Sequence, residues 1–129
     1  MATGFPAATG DVVSSAMWNG LVSYTLNEQT GTTYTTVLTD SYQVLLTVNN
    51  ASANAVKIPT NASVAHPVGT VITVLNKGAG TCTISAVTSG TTTVLSAGAT
   101  AAAPTLAQYK SAAIIKTNTD QWYVVGAIA

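Results

Sequence analysis

Ser111-Ala112-Ala113-Ile114-Ile115-Lys116-Thr117-Asn118-Thr119-Asp120-Gln121-Trp122-Tyr123-Val124-Val125-Gly126 is the stretch on which the fold turns. Two runs rich in β-branched and aromatic residues flank Thr117-Asn118-Thr119-Asp120, whose residue types favour a turn. The segment reads as a β-hairpin. Strand alternation puts Trp122 and Val124 on one face and Tyr123 and Val125 on the other. Trp122 is the largest apolar side chain of the pair, so it is assigned to the core. Ile115 on the partner strand is assigned there too.

Outward from this hairpin the chain keeps the same texture. Leu106 to Lys116 reads as one long strand, preceded by an alanine-rich linker or edge segment from Ala99 to Pro104. Thr92 to Leu95 is a short strand. Gly80 to Ala86 is another, with Cys82 and Ile84 on one side. It follows Asn76-Lys77-Gly78-Ala79-Gly80, read as a hairpin loop whose glycines supply positive φ. Thr70 to Leu75 precedes that loop, and its mixed apolar run implies burial on both faces or an interface on one. Earlier strands are Tyr34–Leu38, Gln43–Val48 and Ala55–Ile58, the last stopped by Pro59. Short strands at this spacing predict an all-β fold, a β-sandwich or barrel of short antiparallel strands. The predicted core is Ile72, Val74, Ile84, Ile115, Trp122 and Val124.

The N-terminal 30 residues differ. Met17, Trp18, Leu21 and Val22 share a helical face, with Asp11 or Ser14 as its cap. Residues 1–30 are therefore expected to form an arm with a short helix, and residues 31–129 the β-domain. An arm has little core of its own, so Trp18, Leu21 and Tyr24 are the predicted interface residues.

Composition narrows the function. Of 129 residues, 47% are hydrophobic but only 6% charged, with four Lys against four acidic residues. An ordinary domain carries about 25% charge. So little charge protects poorly against self-association and suits a subunit that spends its life bound to neighbours. Lys57, Lys77, Lys110 and Lys116 are scattered singly, which disfavours nucleic acid. No apolar run reaches the length of a spanning helix, and Met1 to Pro6 has no secretory character.

Catalytic groups are sparse. The single histidine, His66, precedes Pro67 and reads as a surface turn residue, with Ser52 and Ser63 the serines nearest in sequence. No nucleophile elbow is present. Asp11, Glu28, Asp40 and Asp120 sit at turns or caps and form no patterned pair. One His and one Cys cannot make a zinc site. Cys82 reads as a buried apolar filler. Asn50-Ala51-Ser52 and Asn61-Ala62-Ser63 match the glycosylation pattern by chance in so Asn- and Ser-rich a chain. No cofactor, metal or catalytic residue is assigned, and no enzyme is expected.

Two stretches carry a resemblance. Gly10-Asp11-Val12-Val13-Ser14-Ser15-Ala16-Met17-Trp18-Asn19-Gly20-Leu21 is similar to a segment near the start of many bacteriophage virion proteins. The order Ile58-Pro59, Pro67-Val68-Gly69-Thr70-Val71-Ile72, Lys77 to Ile84 and Ile115 to Gly126 looks like β-domains of phage tail-fibre and capsid-decoration proteins. The resemblance implies a virion structural protein. A chain read as complete in 129 residues, without shaft or repeat, fits a capsid decoration (cement) protein. Its expected partners are the major capsid protein and other copies of itself, as a trimer, and its expected place the outer capsid surface after synthesis in the bacterial host cytoplasm. The alternative the resemblance implies is a tail-fibre or head-fibre domain recognising host glycans.

Overall fold

A computed structural model describes residues 23–96 and 103–128. The short helix expected over residues 15–22, with Trp18 and Leu21, and most of the alanine-rich linker lie outside the described residues. Among the described residues ten strands follow one another: β1 (Thr25–Gln29), β2 (Thr33–Thr35), β3 (Val44–Val48), β4 (Asn54–Ile58), β5 (Val71–Asn76), β6 (Cys82–Ala86), β7 (Thr93–Leu95), β8 (Thr105–Leu106), β9 (Ser111–Asn118) and β10 (Gln121–Gly126). The one helical element among the described residues is a 3-10 turn, Leu38–Ser41.

The strands form two mixed sheets, one of six strands in the order β1-β3-β5-β9-β10-β7 and one of four in the order β2-β4-β6-β8. From β1 to β6 the chain alternates between them. Each strand lies parallel beside the strand two before it, Thr25–Gln29 against Val44–Val48 and Asn54–Ile58 against Cys82–Ala86 for example. The chain thus winds as a flattened coil. The antiparallel arrangement expected from the sequence holds only at the C-terminal end, where β9 pairs with β5 and β10, and β8 with β6. Five of the eight pairings are parallel.

The loop from Asn76 to Gly80 shows why. It joins β5 to β6 across the two sheets, so it is a corner of the coil and not a hairpin. Its glycines permit close stacking of one corner on the previous one. A Cβ on Gly80 would lie 1.9 Å from the Ser52 carbonyl oxygen, and one on Gly78 would lie 2.3 Å from the Asn50 nitrogen. Asparagines tie the corners together. Asn50 donates through Nδ2 to the Thr30 carbonyl at 2.8 Å, and the Gly80 N–H donates to the Asn50 carbonyl at 2.9 Å. Fully buried Asn76 donates to the carbonyls of Gly80 and Leu106, both at 2.9 Å.

The core lies between the sheets. Leu46, Val48, Ile72, Val74, Val94, Ala112, Ile114, Trp122 and Val124 come from the six-stranded sheet, and Val56, Ile58, Cys82, Ile84 and Leu106 from the other. Ile72, Val74, Ile84, Trp122 and Val124 sit where expected. Ile115 does not: Ala112, Ile114 and Lys116 face inward, so Ile115 points out. Two other expectations are revised. Leu106 and Ser111 belong to different strands, separated by a turn at Tyr109, whose φ is +66°. Thr25–Gln29, assigned to the arm, is an edge strand of the larger sheet, so residues 25–29 belong to the β-body.

The first turn of the coil ends the core with polar groups. Asp40 is buried and accepts from Tyr34 Oη (2.6 Å), Asn27 Nδ2 (2.9 Å) and the Val37 N–H (2.9 Å). Burial and this carboxylate push the Tyr34 phenol up to about 12. A carboxylate is buried here because each of these donors satisfies it.

Candidate assembly surface

In each strand the residues that do not face the core face outward, and the two sheets present opposite chemistry there. On the four-stranded sheet one outward row runs Thr33, Ala55, Thr83, Thr105 and the next Thr35, Lys57, Ser85. Lys57 Nζ donates to Ser85 Oγ at 2.9 Å within the second row. This is a hydroxyl-covered, wettable face.

The six-stranded sheet is the reverse. One outward row runs Leu26, Leu45, Thr73, Ala113, Val125 and the next Val71, Ile115, Tyr123, Leu95. Neither row contains a charged residue. Leu26 is 57% exposed, Val71 48%, Val125 49% and Tyr123 40%. Charge enters only at one rim, in the row Glu28, Thr47, Leu75, Ser111. There Lys77 Nζ pairs with Glu28 at 2.5 Å, reaching across β3 above Thr47, which is 1% exposed. Leu26, Val71, Tyr123 and Val125 are the exposed members of these rows, and Leu45, Thr73, Ala113, Ile115 and Leu95 lie half-buried between them.

The strand runs that build it are Val44-Leu45-Leu46, Val71-Ile72-Thr73-Val74-Leu75 and Trp122-Tyr123-Val124-Val125, apolar at both parities. Among these, the reading of Thr70–Leu75 as apolar on both faces already contained the signal. Tyr123 and Val125 lie opposite Trp122 and Val124, as the alternation of that strand implies, whereas Leu26 and Leu45 were not singled out from the sequence. Of the predicted interface residues, Tyr24 is described and is 61% exposed, just ahead of β1.

A second cluster lies inside, where the titratable groups gather. His66 is buried, contrary to its reading as a surface turn residue. Its Nδ1 lies 2.5 Å from Ser41 Oγ and its Nε2 3.1 Å from Thr36 Oγ1, and its ring meets Trp122 edge-on at 5.4 Å. Two hydroxyls satisfy both ring nitrogens, which is what burial of an imidazole requires. Burial, then the nearby Lys116 cation, lowers the His66 pKa, while Asp40 opposes the shift. The neutral ring is therefore favoured.

Lys116 is equally buried. Its Nζ donates to Asn61 Oδ1 and to the His66 carbonyl, both at 2.6 Å, and sits 5.7 Å from the Trp122 ring centroid. Burial lowers its pKa and Asp120 opposes the shift. Asp120 in turn accepts from the Asn61 N–H at 2.8 Å. This set pins the loop between β4 and β5 to the final hairpin.

As chemistry the cluster is incomplete. A serine–histidine–carboxylate relay needs a carboxylate on the second imidazole nitrogen. Here that nitrogen faces Thr36, and Asp40 is engaged by Tyr34, Asn27 and Val37. The serine beside His66 is Ser41, not Ser52 or Ser63. No group of three or more His, Cys, Asp or Glu gathers among the described residues. Cys82 is fully buried, and burial pushes its thiol up to about 11, far from a reactive thiolate. Among the described residues no helix is long and apolar enough to cross a membrane. Comparison with family models, curated proteins and solved structures yields no match to this chain.

Proposed function

We propose that this chain is a structural subunit of a bacteriophage particle, a capsid decoration protein that stabilises the shell by packing between capsid subunits. One observation carries the reading: the larger sheet turns an uncharged apolar face outward while the smaller sheet turns a hydroxyl face outward. Such a two-sided body, sandwich-like in its layers, suits a protein with one side on a partner and one side in water. The sparse charge of the chain supports the same reading, and the phage assignment follows from the sequence resemblance alone. Purified protein added to undecorated capsids is expected to raise their melting temperature with saturable stoichiometry, because a ligand of the assembled state stabilises it. Absence of binding at micromolar protein would remove the proposal.

A fibre domain for host-glycan recognition is the second reading. The protruding Tyr109, 78% exposed, favours it. Sugar rings stack on exposed aromatics presented in this way. A glycan array probed with the wild-type chain and with Tyr109→Ala separates the two readings.

A further inference from the structure

We infer that Lys116 and Asn61 join through an intramolecular isopeptide bond, Lys116 Nζ to Asn61 Cγ with loss of ammonia, which locks the loop between β4 and β5 to the C-terminal hairpin. The inference does not depend on the structural-subunit reading. Its first support is geometric. Lys116 Nζ lies 2.6 Å from Asn61 Oδ1. A C=O bond is about 1.23 Å long, so Cγ is within about 3.8 Å of Nζ, close to the 3–3.5 Å of a near-attack pair. The second is the state of the amine. Both acceptors at Nζ, Asn61 Oδ1 and the His66 carbonyl oxygen, are neutral. The one ion pair among the described residues joins Lys77 to Glu28, so Lys116, 2% exposed, has no carboxylate in contact. A buried ammonium is normally paired. Burial lowers the Lys116 pKa and so raises the share of neutral amine, the form that attacks. The third is a proton carrier. Asp120 Oδ1 accepts from the Asn61 N–H at 2.8 Å, and its charge reaches Lys116.

The step balances without oxidant or reductant. The Nζ lone pair adds to Cγ and the carbonyl π pair moves to Oδ1. Asp120 takes one proton from Nζ and gives it to Nδ2. The π pair returns, the Cγ–Nδ2 bond breaks, and ammonia leaves. The bond closes a loop from residue 61 to residue 116 in a chain whose single cysteine, Cys82, is free and buried. It does for this chain what a disulfide does elsewhere, restricting the unfolded state.

Tryptic digestion and mass spectrometry of the full folded chain, after prolonged incubation at mildly alkaline pH, test this. Cleavage after lysine should release residues 58–77 joined to residues 111–129, uncut at Lys116 and lighter by one ammonia than the two peptides together. Lys116→Arg keeps a cation and its donors without a reactive amine, and Asn61→Ala has no side-chain amide. Both should give linear peptides alone. Asp120→Asn, with a wild-type circular dichroism spectrum, should slow the joining by about 10²-fold or more. Linear peptides 58–77 and 111–116 alone from the folded wild type overturn the inference. So does an ammonia loss that persists in Lys116→Arg, which reports a succinimide at an asparagine instead. Joining at an unchanged rate in folded Asp120→Asn overturns the role given to Asp120.

Discussion

Trp122→Ala removes the side chain at which the core, the buried histidine and the buried lysine meet. Trp122 is 1% exposed, so its loss carries the cost of a large core truncation, about 3–5 kcal/mol. The edge-on contact with His66 adds about 0.5–1.5 kcal/mol. The ring also faces the Lys116 ammonium, and a desolvated contact of that kind is worth about 1–2 kcal/mol. Neighbouring contributions do not sum fully, so the expected loss is about 4–6 kcal/mol. That is a large part of the ~5–15 kcal/mol available to a domain. For a chain of this length it lowers the Tm by roughly 15–25 °C. Urea denaturation followed by far-UV circular dichroism, at one fixed protein concentration, measures it. Trp122→Phe keeps an aromatic face for Lys116 and most of the apolar volume, and should lose less than half as much. A loss under about 1.5 kcal/mol for Trp122→Ala would refute the placement of this residue at the centre of the core.

Three further outcomes are expected. Ile114→Ala should cost about 2–5 kcal/mol in denaturant, and Ile115→Ala, one residue on but outward-facing, under about 1 kcal/mol at concentrations where the chain is single; equal losses would contradict the facing of β9. Gly80→Ala should destabilise strongly, by about 3 kcal/mol or more, since the new Cβ meets Ser52 backbone and no side chain is there to yield; thermal melts that match wild type would contradict the corner packing. His66 gives a pH signature. Its folded pKa lies below the unfolded value of about 6.5, so the neutral ring's contribution is fully present above pH 6.5 and is lost as pH falls through the lowered folded value. Lys116, Asp40 and the hydroxyls of Thr36 and Ser41 are the groups that face it. Melting temperature should therefore decline with acidification more steeply for wild type than for His66→Gln, and parallel curves would contradict it.

Strand positions were legible because period-two alternation survives in short segments. Trp122 with Val124 was assigned to the core from that pattern, Ile72 and Val74 came from a mixed apolar run, and the turn expected at Thr117–Asp120 falls on Thr119 and Asp120 because β9 runs on to Asn118. Strand pairing was not. Alternation is identical whether the next strand returns beside the last one or crosses to the other sheet, so Asn76–Gly80 looked like a hairpin loop. Its glycines suggested positive φ, whereas Gly78 and Gly80 are required by the approach of the Asn50 and Ser52 backbone. That approach exists only once the coil has closed. Ile115 shows how sharp the period is, since one position moves it from the core to the outer face. His66 and Lys116 were hidden for a related reason. Their burial depends on partners 25 to 55 residues away, Ser41, Thr36 and Asn61. The outer apolar face was half legible: the run from Val71 to Leu75 announced it, but its continuity across β1, β3, β5, β9 and β10 follows from the register.

The account stands or falls on whether the outer face of the larger sheet is hidden when the protein works. Hydroxyl-radical footprinting of the assembled protein against a dilute single-chain sample reads this directly at two tyrosines. Tyr123 lies on that face and Tyr109 protrudes from a turn. The account predicts strong protection of Tyr123 on assembly with Tyr109 modified at an unchanged rate. Equal modification of Tyr123 in both states would contradict it.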